Sequence, residues 1–262
     1  MAEQSQGARA LFFDESLVEE VAAVNGFAVE SVEPLCEIDG DAIVMRHGKS
    51  GARLLFLHNA DENKAFSISF KTPPVDDTGV FHILEHSVLC GSDKFPVKEP
   101  FVNLLKTSMQ TFLNALTFPD KTMYPVASTN DQDLENLADV YMDAVLHPAI
   151  YRKRAVFEQE GWHYELDDAN AEAGTPERLR CNGVVFNEMK GALSDPESVL
   201  YRGMNTELFP GTCYAFESGG HPRAIPQLTY ESYLDTHARH YRLDNSYIVL
   251  YGDIDAERML RF

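Results

Sequence analysis

The chain has 262 residues, with 22 Lys and Arg against 41 Asp and Glu, a formal net charge of −19. That balance excludes nucleic acid and anionic membrane surfaces as main partners, because both need clustered Lys and Arg. With 44% hydrophobic and 24% charged residues, the composition is that of a globular chain able to bury a sizeable core.

The first residues, MAEQSQGARA, hold no apolar leader. No stretch reaches the roughly 18 consecutive apolar residues of a membrane span. These features fit a bacterial cytoplasm, and a processed organelle-matrix protein would look the same. Cys36, Cys90, Cys181 and Cys213 form no CxxC pair and read as reduced thiols.

In chain order, residues 11–25 predict a short helix stopped at Asn25-Gly26, so that 1–25 form an N-terminal extension. Residues 27–38, 42–47, 53–58 and 65–71 are β-branched or alternating and are split by turn residues. They predict an antiparallel meander. Helices are expected at 78–90 and from Pro100 over 101–108, then strands at 111–117 and 122–127. Residues 131–146 place Leu134, Leu137, Ala138, Tyr141 and Val145 at helical spacing, with Asn130 or Asp131 as cap and His147-Pro148 as stop. Further helices are expected at 150–159, 183–193, 197–208 and 230–241. Residues 246–251 (SYIVLY) read as a buried strand. Strands, then helices, then a returning strand argue for an α+β domain over 26–262. Residues 217–222 (ESGGHP) read as a plain loop, lacking the flanking strand and helix of a phosphate cradle.

The informative segment is Phe81-His82-Ile83-Leu84-Glu85-His86-Ser87. On a helix, positions i and i+4 lie about 40° apart around the axis and about 6 Å along it. His82 and His86 therefore project side by side and can chelate one ion. Glu85 flanks the same place as a base for water. This is H-x-x-E-H, the reverse of the H-E-x-x-H zinc helix. Zinc takes neutral imidazole readily and, in catalytic sites, keeps three protein ligands and one open position. It lowers the pKa of a bound water to about 7.

Two histidines leave a third ligand to be found. Glu188, on an expected helix among apolar residues, is the first choice, with Glu158, Glu160 and Glu165 as competitors. Cys90, four residues after His86, would close the site as a structural metal centre if it joined. A buried helix-end cysteine is the simpler reading. The remaining histidines have no comparable spacing and read as surface or capping residues. That includes the i,i+3 pair His237 and His240.

The segment 82–92 (HILEHSVLCGS) resembles the inverted zinc motif of the insulinase–pitrilysin metallopeptidases, in their presequence-protease, falcilysin-like branch. Residues 109–117 (MQTFLNALT), 122–128 (TMYPVAS) and 183–191 (GVVFNEMKG) agree with it. The resemblance implies His82, His86 and Glu188 as zinc ligands and Glu85 as general base. It also implies Asn114, Ala115, Leu116 and Thr117 on an edge strand that holds peptide substrate by main-chain hydrogen bonds. The implied fold is the family's metallohydrolase roll, a mixed, mostly antiparallel sheet with helices on one face. The implied activity is zinc-dependent endopeptidase cleavage of short unstructured peptides, with basic peptides favoured by the acidic charge. The alternative is a non-catalytic peptide-binding or assembly domain of the same fold. Full members of this branch carry about four such domains closing as a clamshell. The present chain corresponds to the first, and the C-terminal half, with its Arg and Tyr, is its expected partner.

Overall fold

The computed structural model describes residues 22–23, 25–97, 100–166 and 178–261. Most of the helix expected at 11–25 lies outside the described residues.

Eight strands form the main sheet. They are β1 (Phe27–Leu35), β2 (Gly40–His47), β3 (Arg53–His58), β4 (Lys64–Lys71), β5 (Gln110–Leu113), β6 (Leu116–Thr117), β7 (Lys121–Ser128) and β10 (Ser246–Gly252). The order is β1-β2-β3-β10-β4-β7-β5, with β6 also on β7. Every pairing is antiparallel except β3 with β10. This corrects the expected meander, because β4 is not the neighbour of β3. The separating strand, β10, places Ser246, Ile248, Leu250 and Gly252 on the buried face and half-buries Tyr247, Val249 and Tyr251. A strand apolar on both faces suits the middle of a sheet, where each face meets packed neighbours. In register, Ile248 stands between Leu54 and Ile68, and Leu250 between Phe56 and Phe66.

The described residues also form eight helices, of which all but Pro196–Leu208 place apolar side chains in or against the core. In chain order they are α1 (Val80–Val88), α2 (Pro100–Thr107), α3 (Asp131–Leu146), α4 (Arg154–Glu160), α5 (Val184–Ala192), α6 (Pro196–Leu208), α7 (Tyr230–His240) and α8 (Ala256–Leu260). In α3 the expected stripe Leu134, Leu137, Ala138, Tyr141 and Val145 is buried, and Asn130 caps the helix by accepting from Asp133 N at 2.9 Å. The stripe joins Phe56, Ile68, Phe70 and Tyr124 in the core, which also takes Ile83 and Leu84 from α1. The fold is therefore α+β. No helix among the described residues is long and apolar enough to cross a membrane.

Several expectations need correction. The helix expected at 150–159 is a 3-10 turn, Ala149–Tyr151, followed by α4, with Lys153 outside the helical region between them (φ −126°, ψ 82°). A separate two-stranded sheet, β8 (His163–Leu166) with β9 (Leu179–Asn182), was not expected. The strand expected over 111–117 is broken into β5 and β6. Pro125 of β7 stands opposite the break and has no N–H to give. Asn114 N donates to Pro125 O at 3.3 Å. Its own carbonyl accepts instead from the Tyr141 hydroxyl at 3.2 Å.

His237 is a core residue and not a surface one. Its Nε2 donates to Val145 O at 3.0 Å, and its Nδ1 accepts from the Tyr151 hydroxyl at 2.8 Å. Val145 is in the last turn of α3, where carbonyls lack helical partners. His58 is also buried. No disulfide joins Cys36, Cys90, Cys181 and Cys213.

Candidate metal centre

The centre is built on α1. Phe81, Ile83, Leu84 and Val88 are buried against the core. This apolar anchoring fixes the roll of the helix, so His82, Glu85 and His86 share the remaining face. The helix begins after a turn in which Asp76 Oδ1 accepts from Thr78 N at 2.8 Å and Thr78 Oγ1 at 2.6 Å. Glu85 and His82 are deep, at 8% and 9% exposure. The two imidazole centroids lie 4.9 Å apart at 84°.

Each ring has one nitrogen engaged behind the site. His82 Nδ1 lies 2.9 Å from Gly219 O. His86 Nδ1 lies 3.4 Å from Glu160 Oε2. The two Nε2 atoms face Glu188 Oε2, each at 3.7 Å. These three ligand atoms all lie within 4.8 Å of one another. A tetrahedral ion with bonds of about 2.1 Å would space its ligands about 3.4 Å apart, so each Nε2–Oε2 gap of 3.7 Å needs to close by only a few tenths of an ångström. Glu188 comes from α5, and half of its side chain (52%) remains exposed on the open side. The donor set and the open side fit a divalent zinc-like ion.

Among the competitors for the third position, Glu158 pairs with Arg154 at 3.1 Å and Glu165 with Arg180 at 2.6 Å. Both are turned to other partners. Glu160 is buried at the end of α4 and stands behind His86. Its Oε1 accepts from Gln159 Nε2 at 2.8 Å and from Cys90 Sγ at 3.6 Å. Cys90 is thus turned to Glu160 and to the His86 carbonyl, outside the cluster of three.

Burial works against the charged form of His86, but the Glu160 hydrogen bond and the charges of Glu85, Glu160 and Glu188 outweigh it and raise its pKa. Burial of Glu160 likewise favours the neutral acid. The hydrogen bonds from His86 and Gln159 and the His86 charge outweigh it and lower the pKa.

Glu85 meets the edge of the sheet. Thr117 Oγ1 donates to Glu85 Oε2 at 2.5 Å. Asn114 and Ala115, together with Glu85, His86, Leu89 and Phe101, line a cavity of 310 Å³. Leu116 and Thr117 form β6 beside it. A larger cavity of 760 Å³ contains none of the three clustered residues, and Gln159 lines both. The roles of Glu160 and of the Gly219 carbonyl were missed in the sequence. Glu160 was visible only as a rival ligand, and a backbone carbonyl from a distant loop leaves no sequence signal.

Residues 72–197 match the insulinase family, peptidase family M16. That span carries His82, Glu85, His86 and Glu188 together. This chain belongs to the insulinase family. Similar proteins include Protein HypA of Clostridium perfringens, 53% identical over 91% of this chain and 24% of that one. Presequence protease 1, chloroplastic/mitochondrial, of Arabidopsis thaliana is 50% identical over 90% of this chain and 21% of its own. The mitochondrial presequence protease of Mus musculus is 42% identical over 91% and 22%. The present chain thus spans about a quarter of the length of these relatives. In fold it is similar to crystalline pitrilysin, with TM-score 0.66 and 18% identity, covering 90% of this chain and 24% of that one. It is also similar to a protease from Helicobacter pylori, with TM-score 0.61 and 16% identity, covering 81% and 47%.

Proposed function

We propose that residues 26–262 form the zinc-bearing, N-terminal domain of an endopeptidase that cleaves short unstructured peptides, with residues 1–25 as an extension. The observation that carries this reading is the convergence of His82 Nε2, His86 Nε2 and Glu188 Oε2, with the Glu85 carboxylate on the same helix face. Two imidazoles and one carboxylate with an open side are the ligand set of a catalytic rather than a structural zinc. The ion would supply Lewis-acid polarisation of the scissile carbonyl and a lowered water pKa.

The chain's own residues do the rest. Glu85 Oε2 is engaged by Thr117, leaving Oε1 to take a proton from the attacking water and deliver it to the leaving amine. Residues 114–117 present the sheet edge along which a peptide adds as a strand, gripped through its main chain and so with little regard to sequence. The names of the presequence-protease relatives support peptide substrates and an organelle matrix, and the bacterial relative supports a cytoplasmic setting. The net charge of −19 favours basic peptides by raising their local concentration. The remaining three quarters of the relatives' length supports a C-terminal half that completes the chamber. The turning of Cys90 toward Glu160 counts against a closed, structural metal site.

The test is hydrolysis of a fluorogenic peptide by this chain, alone and together with the remaining polypeptide of a full-length relative. It is run with and without chelator, on wild type and Glu85→Gln. Cleavage should vanish with chelator and fall about 10²–10⁴-fold in Glu85→Gln at unchanged zinc content. A zinc-loaded Glu85→Gln chain cleaving at the wild-type rate removes the assigned base.

A further inference from the structure

The loop at residues 217–221, which the sequence presents as a plain connection, touches both helices that carry the three clustered ligands. Gly219 O receives His82 Nδ1 at 2.9 Å. A carbonyl only accepts, so it selects the imidazole form with the proton on Nδ1 and the lone pair on Nε2, the atom that faces Glu188.

Neither helix nor strand fixes this carbonyl. It is held by Asp77. Glu217 N donates to Asp77 Oδ1 at 2.7 Å, and His221 N donates to Asp77 O at 2.8 Å. Both ends of the loop therefore hang on one residue. The other carboxylate oxygen, Oδ2, is taken by Arg202 Nη2 at 3.0 Å. Arg202 belongs to α6, a helix with no buried residue of its own.

Close packing completes the seat. Gly79, just before α1, is in the left-handed region (φ 65°), and a Cβ there would lie 2.6 Å from Gly219 O. A Cβ on Gly219 would lie 2.6 Å from the sulfur of Met189, the residue after Glu188. Three elements thus meet at a turn of two glycines: the entry to α1, the ligand helix α5, and α6 through the Arg202–Asp77 pair.

We propose that Asp77 and Arg202 are positioning residues for His82, acting through the Gly219 carbonyl to fix its tautomer and ring direction. The proposal rests on the reading of His82 as a metal ligand. Loss of a group that hydrogen-bonds a metal ligand directly, as Gly219 O does here, typically changes affinity by about 10–100-fold, which is the upper limit for residues that hold that carbonyl in place.

The experiment uses the whole 262-residue chain. Zinc affinity is measured by chelator competition, and the His82 tautomer by 15N NMR of histidine-labelled protein, with thermal unfolding to confirm the fold. Asp77→Ala should weaken zinc by up to about 10–100-fold and turn a single Nδ1-protonated His82 into a mixture of tautomers. Asp77→Asn keeps an oxygen for Glu217 N but gives Arg202 no charge, so it should recover part of the loss, and Arg202→Ala should fall beside it. These two variants carry the test if Asp77→Ala does not fold. Folded variants with wild-type affinity and tautomer overturn the proposal. Weakened zinc with an unchanged tautomer also overturns it, since that is what general loosening of the loop would give. His82→Ala is the control: if it binds zinc as wild type does, the ligand assignment fails rather than the clamp.

Discussion

Thr117 gives its hydroxyl hydrogen to Glu85 Oε2 across 2.5 Å, so the edge of the sheet and the helix of the metal centre share one bond. Thr117 stands in β6, the short strand just past the break opposite Pro125, and the strand's position sets the direction of the carboxylate. If Glu85 is the base, peptide alignment and proton transfer are adjusted by the same element.

Thr117→Val keeps the side-chain shape and removes that bond. A hydrogen bond to a charged group contributes about 1.5–3 kcal/mol, and each 1.36 kcal/mol is a factor of ten in rate. Peptide cleavage should fall about 10- to 150-fold while zinc content stays the same. Steady-state assay with metal analysis checks both halves of the expectation.

Glu160 and His86 make a pH-dependent pair in the metal-free chain. The His86 pKa is raised above its ordinary 6.5, so its contribution is full below 6.5 and is lost as pH rises through the folded value. The Glu160 pKa is lowered below its ordinary 4.5, so its contribution is full above 4.5 and is lost as pH falls through the folded value. The pair therefore stabilises most between about pH 4.5 and 6.5. Thermal unfolding of metal-free Glu160→Gln should show its largest deficit against wild type in that window and a shrinking one at alkaline pH. With zinc, the same variant should bind about 10–100-fold more weakly, because His86 Nδ1 loses its anionic partner.

His237 acts in the opposite sense. Burial pushes its pKa down to about 4, against the raising effect of the Val145 carbonyl. The unfolded chain therefore takes up the proton first, and stability falls as pH drops from about 6.5 to 4. From roughly 1.4 kcal/mol per pH unit, the loss attributable to this group is about 3 kcal/mol. His237→Gln, whose amide still donates to Val145 O, should be less stable at pH 7 but flatter across that range. Denaturant midpoints against pH give the comparison.

The elements legible in the sequence are those whose partners are local. The α3 stripe from Leu134 to Val145 names its own buried face, because helical periodicity needs no knowledge of what covers it. The spacing of His82, Glu85 and His86 likewise fixes their common side. What was hidden depends on distant segments. The insertion of β10 between β3 and β4 brings Ile248 against Leu54 and Ile68, 194 and 180 residues away, and periodicity within SYIVLY carries no partner. The apolar setting of Glu188 made it the first choice but could not exclude Glu158, Glu160 and Glu165, and resemblance to a family settled the matter. The strand pair β8–β9 buries no residue fully, so it has no apolar run to announce it. His237 looked like a surface residue because the carbonyl that accepts from its Nε2, Val145 O, lies on another helix.

Zinc titration of the purified chain, with wild type, His82→Ala, His86→Ala and Glu188→Gln compared by calorimetry, tests the central claim most directly. One zinc per wild-type chain is expected, with a loss of about tenfold or more in affinity for each variant and folding retained. Variants that bind zinc as tightly as wild type, or a folded wild-type chain that binds none, would contradict it.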